Sequence, residues 1–72
     1  MRVALRAEVV GSLSDLSVDD GDRVVKGQMV AQLESMKVMF PVYASTDGVF
    51  RLERELGEVV GEGEIVAWIV KD

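Results

Sequence analysis

Seventy-two residues allow one small domain with a modest core, and without Cys no disulfide can staple it. The absence of both His and Cys excludes Ser-His-Asp and Cys-His catalysis and leaves metal binding to carboxylates alone. A formal charge of −5 with no basic run argues against nucleic acid, and the short apolar runs neither cross a membrane nor form a signal peptide, which is compatible with a cytoplasmic location.

Val enrichment and seven glycines point to β structure throughout. The alternating residues Val3, Leu5 and Ala7 predict a first strand, and Gly11 marks the turn after it. Leu16-Ser17-Val18-Asp19-Asp20 reads as a strand entering a turn. Asp19, Asp20 and Asp22 read as a solvated turn, with an acidic docking surface as the alternative. Gly21 and Gly27 bracket a turn that feeds a strand through Leu33, with Met29 in the core. Phe40, Val42 and Ala44 form the next apolar alternation, and Gly48 marks another turn. Leu52-Glu53-Arg54-Glu55-Leu56 has helical propensity, but its counterpart at Leu16–Asp20 has none, so it too reads as a strand entering a turn. Gly57 and Gly63 bracket the last turn before a strand through Ile69. Trp68 falls where Gln32 falls in the earlier copy, so alternation points it outward, for packing rather than ligand stacking.

The chain contains itself twice. Gly21–Leu33 and Gly57–Ile69 share the pattern G-[DE]-x-V-x-x-G-x-[MI]-V-A-x-[LI] at an offset of 36, with five identities. Gly11 and Gly48 precede the two copies by ten and nine residues, so one residue has been gained or lost. The glycines read as turns or positive-φ positions, not as a phosphate cradle. Two similar halves, about 1–36 and 37–72, each too small to close a core, predict an all-β fold. The expected form is a single domain spanning 1–72, a flattened barrel or sandwich of two antiparallel sheets with pseudo-two-fold symmetry. Met1 and the compact ends favour a free-standing subunit.

The offset places the link between the halves at Met36 and Lys37, and the chain ends at the symmetry-related place. A two-residue turn there sets Ser35 opposite Val38, Glu34 opposite Met39, Leu33 opposite Phe40 and Ala31 opposite Val42. Ala31, Leu33, Phe40, Val42 and Ala44 then share an apolar face. Val30, Gln32, Glu34, Met39, Pro41 and Tyr43 share a mixed one. A one-residue slip would exchange the faces. Two-residue hairpin turns favour Asn-Gly, because both central residues need positive φ. Met-Lys is a poor turn and leaves an apolar side chain in water. Met36 and Lys37 are therefore read as residues placed for recognition.

Glu34-Ser35-Met36-Lys37-Val38 resembles the E-A-M-K-M attachment motif of biotinyl domains. Gly21-Asp22, Val24, Gly27, Ala44, Asp47-Gly48 and the Gly57…Gly63 copy resemble the same family, from about Gly11 to Val70. Ser35 stands where Ala is common, and Val38 stands where a second Met is common. Glu8-Val9-Val10-Gly11 lacks the Pro often found before that Gly. No insertion between strands is visible, so the protruding thumb of some bacterial carriers is not expected.

The resemblance implies a non-catalytic biotin carboxyl carrier with covalent biotin on Lys37. Glu34, Ser35, Met36 and Val38 would be read by the modifying enzyme, although Glu34 serves equally as an exposed strand carboxylate. The implied partners are a biotin protein ligase, a biotin carboxylase using ATP and bicarbonate, and a carboxyltransferase. The implied acceptor is an acyl-CoA or a keto acid. Acyl-CoA is the expected one, as in an acetyl-CoA carboxylase of fatty acid biosynthesis. A lysine amine is mostly charged near neutral pH, so the ligase must take its proton. The alternatives are a lipoyl carrier of a 2-oxo acid dehydrogenase-type complex, whose family usually has Asp before the lysine, and an unmodified interaction module.

Overall fold

Eight strands follow one another along the chain, and there is no helix. They are β1 (Arg2–Arg6), β2 (Gly11–Leu16), β3 (Arg23–Val24), β4 (Met29–Ser35), β5 (Val38–Tyr43), β6 (Gly48–Leu52), β7 (Val59–Val60) and β8 (Ile65–Val70). The computed structural model describes every residue from Met1 to Asp72.

The strands form two antiparallel four-stranded sheets, ordered β1-β8-β6-β3 and β5-β4-β2-β7. Replacing each strand of the first half by its equivalent in the second converts one order into the other. Each sheet thus takes two strands from each half, and neither half owns a sheet. This is the expected pseudo-two-fold sandwich, with the halves interlocked rather than stacked.

The repeat has a physical basis in both copies. The carboxylates of the G-[DE] motif close the turns: Asp22 Oδ2 accepts the Asp19 N–H at 2.9 Å, and Glu58 Oε1 accepts the Glu55 N–H at 3.1 Å. Six residues later Gln28 Oε1 accepts the Val25 N–H at 3.1 Å, and Glu64 Oε1 accepts the Gly61 N–H. Gly21, Gly27, Gly57 and Gly63 all have positive φ. The aspartates are therefore not simply solvated. Asp20 Oδ1 also accepts the Leu52 N–H at 2.9 Å, tying the turn to β6.

Equivalent residues meet in the core. Leu13 and Phe50, Val24 and Val60, Val30 and Val66, Ala31 and Ala67, and Leu33 and Ile69 are all buried. Burying the Val, Leu, Ile and Phe side chains among them stabilises by roughly 1.5–3 kcal/mol each.

Four expectations are corrected. Strands β2 and β6 end at Leu16 and Leu52, so Ser17–Asp20 and Glu53–Leu56 are bends and turns. Val30 is buried, not on the mixed face, because the β4–β5 register shifts between Met29 and Ala31 and the parity changes there. Met29 is only half-buried. Gly11 also has no positive φ; its constraint is a close approach, described below.

The residue gained between the copies is Ser14. Leu13 pairs with Leu33 and Asp15 with Gln32, leaving Ser14 as a bulge. The equivalent β6–β8 ladder runs without interruption from Val49↔Val70 to Leu52↔Ala67.

Candidate functional site

The β4–β5 hairpin carries the sequence-selected residues. Its register is Ser35↔Val38, Glu34↔Met39, Leu33↔Phe40, Gln32↔Pro41 and Ala31↔Val42, as the apolar alternation required. Met36 and Lys37 are the two central residues of the turn, with φ of 51° and 66°. They are the only non-glycine residues in the chain with positive φ. A type I′ turn demands that conformation, and here it is imposed on two side chains that disfavour it.

The tip is open on all sides. Met36 is 93% exposed, Lys37 and Glu34 are exposed, and Ser35 is half-buried. Val38 and Met39 add exposed apolar surface beside them. Both ion pairs lie elsewhere, at Arg23–Asp72 and Arg54–Glu58, so the Lys37 ammonium is unpaired. It can be reached by a modifying enzyme, and nothing in the fold must be broken to reach it.

The base of the hairpin is braced by residues that the motif did not single out. Gly11 of β2 lies directly against the last rungs of β4. A Cβ there would stand 2.5 Å from the Glu34 carbonyl oxygen and 3.5 Å from the Ser35 Cβ. The bulged Ser14 Oγ donates to the Gln32 carbonyl at 3.2 Å and meets the Met39 sulfur at 3.7 Å. The uneven spacing of ten and nine residues between glycines signals one extra residue after Gly11 but not that it is Ser14. The tip is thus a long, exposed side chain on a braced base, which suits a tether.

Elsewhere the surface offers little chemistry. No group of three or more His, Cys, Asp or Glu side chains comes together. An open cleft of about 400 Å³ lies between the edge strands β1 and β5, with Leu5, Phe40, Val42 and Tyr43 in its walls. Arg6 and Glu8 also line it, and no ion pair joins them. Trp68 is half-buried on the outer side of its sheet, as alternation indicated, under the Arg2 guanidinium at 4.0 Å from the ring centre. Two carboxyls sit below their ordinary range. Glu58 is lowered by the Glu55 backbone N–H and by Arg54, and Asp72 by its hydrogen bond and charge pairing with Arg23. Both lie away from the tip and are structural.

Residues 2–69 match the family model described as biotin-requiring enzyme. The chain is 36% identical over 66 residues to a Mycobacterium leprae biotinylated protein TB7.3 homolog, covering 90% of this chain and 93% of that protein. It is 37% identical over 60 residues to a Bacillus subtilis biotin/lipoyl attachment protein, covering 82% of each. It is also 37% identical over 62 residues to the mitochondrial acetyl-CoA carboxylase of Saccharomyces cerevisiae, covering 86% of this chain and only 3% of that one. Among solved structures, the Kluyveromyces lactis urea carboxylase superposes with a TM-score of 0.89 at 30% identity, over 97% of this chain and 6% of that one. A single-chain, multi-domain long-chain acyl-CoA carboxylase superposes with a TM-score of 0.83 at 26% identity, over 99% of this chain and 7% of that one.

Proposed function

The chain belongs to the biotin/lipoyl attachment family, and from that premise we propose that it is a biotin carboxyl carrier with Lys37 as the attachment site. The observation that carries the reading is the hairpin tip. An unpaired lysine and an almost fully exposed methionine occupy the two positive-φ positions of a turn that disfavours both.

The Lys37 Nζ loses a proton to a biotin protein ligase and attacks the activated carboxyl carbon of biotin. An amide bond forms, and the activating group departs. Glu34, Ser35, Met36 and Val38 present the lysine to the ligase, with Met36 supplying the apolar contact. Biotin, once attached, supplies a site that takes up a carboxyl group and gives it up again. The chain does neither step. Its β4 and β5 hold the lysine at a fixed point, and the side chain tethers the group near each active site, raising its effective concentration. In this reading residues 1–72 act as one biotinyl domain serving a biotin carboxylase and a carboxyltransferase. An acyl-CoA is the proposed carboxyl acceptor. The biotin in the names of the family and of the mycobacterial relative, and the carboxylases among the similar proteins, do not favour the lipoyl alternative.

Co-expression with a biotin ligase followed by intact mass measurement tests this. One biotinyl group is expected, lost in Lys37→Arg. An unmodified mass with active ligase present, or label retained on Lys26 or Lys71 in the variant, would overturn it.

A further inference from the structure

The backbone obeys the pseudo-two-fold, but the charges do not. On the outward face of the β1-β8-β6-β3 sheet stand Arg2, Arg6, Arg23 and Arg51, all exposed. Their equivalents on the other sheet are Met39, Tyr43, Val59 and Asp15. The strands of the first sheet contain no Asp or Glu, and the strands of the second contain no Lys or Arg.

Acidic residues outnumber basic ones 13 to 8, so mixed charges would leave few arginines without a carboxylate. Yet only Arg23 on this face has one, from Asp72. Arg2 lies over Trp68, and Arg51 is the cross-strand partner of Trp68. Arg6 donates to the Gly63 carbonyl at 2.8 Å, a neutral acceptor. The Trp68 Nε1–H donates to Glu53 Oε1 at 3.1 Å, which fixes the indole beneath the Arg2 guanidinium.

We propose that this arginine face docks on an acidic surface of the biotin carboxylase component, which holds the carrier while Lys37 reaches the active site. The inference rests on the carrier reading above. Arginine forks match carboxylates bidentately, and Arg and Trp are the residues that interfaces favour. The face is on the sheet opposite the one that carries the tip, so docking through it leaves Lys37 free.

The experiment uses the biotinylated chain as the varied substrate of the biotin carboxylase from the same organism, at saturating ATP and bicarbonate. Mass measurement first establishes that each variant carries biotin; an unmodified wild-type chain at that stage would defeat the carrier reading itself. Arg2→Glu with Arg51→Glu is expected to raise KM roughly tenfold at low salt with kcat nearly unchanged. The gap should close as salt screens the contact. Arg2→Gln with Arg51→Gln should fall between, and Asp15→Lys on the other sheet should leave KM unchanged. Circular dichroism confirms that each variant is folded.

Equal KM for wild type and the charge-reversed variant at low salt would overturn the proposal. So would a KM change confined to Asp15→Lys. Loss of binding to phosphatidylserine vesicles with KM unchanged would assign the face to a membrane instead. Loss of self-association with KM unchanged would assign it to a second copy of this chain.

Discussion

Replacing the tip by the residues its geometry prefers should make the domain more stable and abolish the proposed modification. The perturbation is Met36→Asn with Lys37→Gly, a type I′ pair. Met36 is 93% exposed and the Lys37 ammonium is unpaired, so little native contact is lost. Each left-handed non-glycine residue costs about 1–2 kcal/mol, which Gly removes fully and Asn in part. The greater freedom of Gly in the unfolded chain returns about 0.4–1 kcal/mol. The net gain is about 1.5 kcal/mol. For a chain of 72 residues that raises Tm by roughly 6–12 °C. Urea and thermal unfolding, followed by circular dichroism and by the emission of the single Trp68, measure it. A Tm equal to or below that of the wild type would refute the reasoning. Met36 and Lys37 would then be held at no cost, and their presence in the turn would need no functional explanation.

Other outcomes follow from the packing. Gly48→Ala would place a Cβ against the Val70 carbonyl and the Ile69 side chain at a φ of 153°. It should cost roughly 2–4 kcal/mol, against about 1–2 for Gly27→Ala, which meets open space; thermal melts compare the two. Phe50→Ala, in a fully buried position, should cost about 3–5 kcal/mol and leave a large unfolded fraction by urea titration. Deleting Ser14 should preserve the fold, with Asp15 still outward opposite Gln32 and Leu16 still inward; amide NMR contacts across β2 and β4 would show a continuous ladder. The Glu58 carboxyl is held below its ordinary range, by the Glu55 N–H first and Arg54 second. Its contribution is complete above the unfolded pKa and is lost as pH falls through the lower folded one. Acid titration of stability should therefore be shallower in Glu58→Gln than in the wild type.

The parts of the fold that depend on backbone constraint were legible in the sequence. Gly21, Gly27, Gly57 and Gly63 occupy conformations that other residues resist, and Asp22 and Glu58 close turns, so the same letters recur at the same offset. The hairpin register was legible because a slip would turn Leu33 and Phe40 outward. Bulges were not legible, since an inserted residue changes the parity of everything beyond it without changing its composition. That is why alternation alone puts Val30 on the wrong face, and why the glycine spacing counts Ser14 without locating it. The strand ends at Leu16 and Leu52 were missed because side chain–backbone bonds from Asp20, Asp22 and Glu58 bend the chain where its propensities would still allow extension. Of the site, Lys37 and its neighbours stood out by being wrong for their turn, whereas Gly11 and Ser14 show their relation to it only in three dimensions.

The two-fold also relates the hairpin tip to the chain ends. Ser35 and Val38, the last pair before the turn, correspond to Lys71 and Met1, and the Lys71 N–H donates to the Met1 carbonyl at 2.8 Å. The termini therefore stand one two-residue turn short of closing on each other. The molecule is in effect a ring of strands opened at one of two equivalent corners. Joining the ends and reopening the ring at Gly27 or Gly63 would give a permuted chain with unchanged sheets. A Met-Lys pair at the new joint would give it a second exposed Met-Lys turn, at the opposite corner.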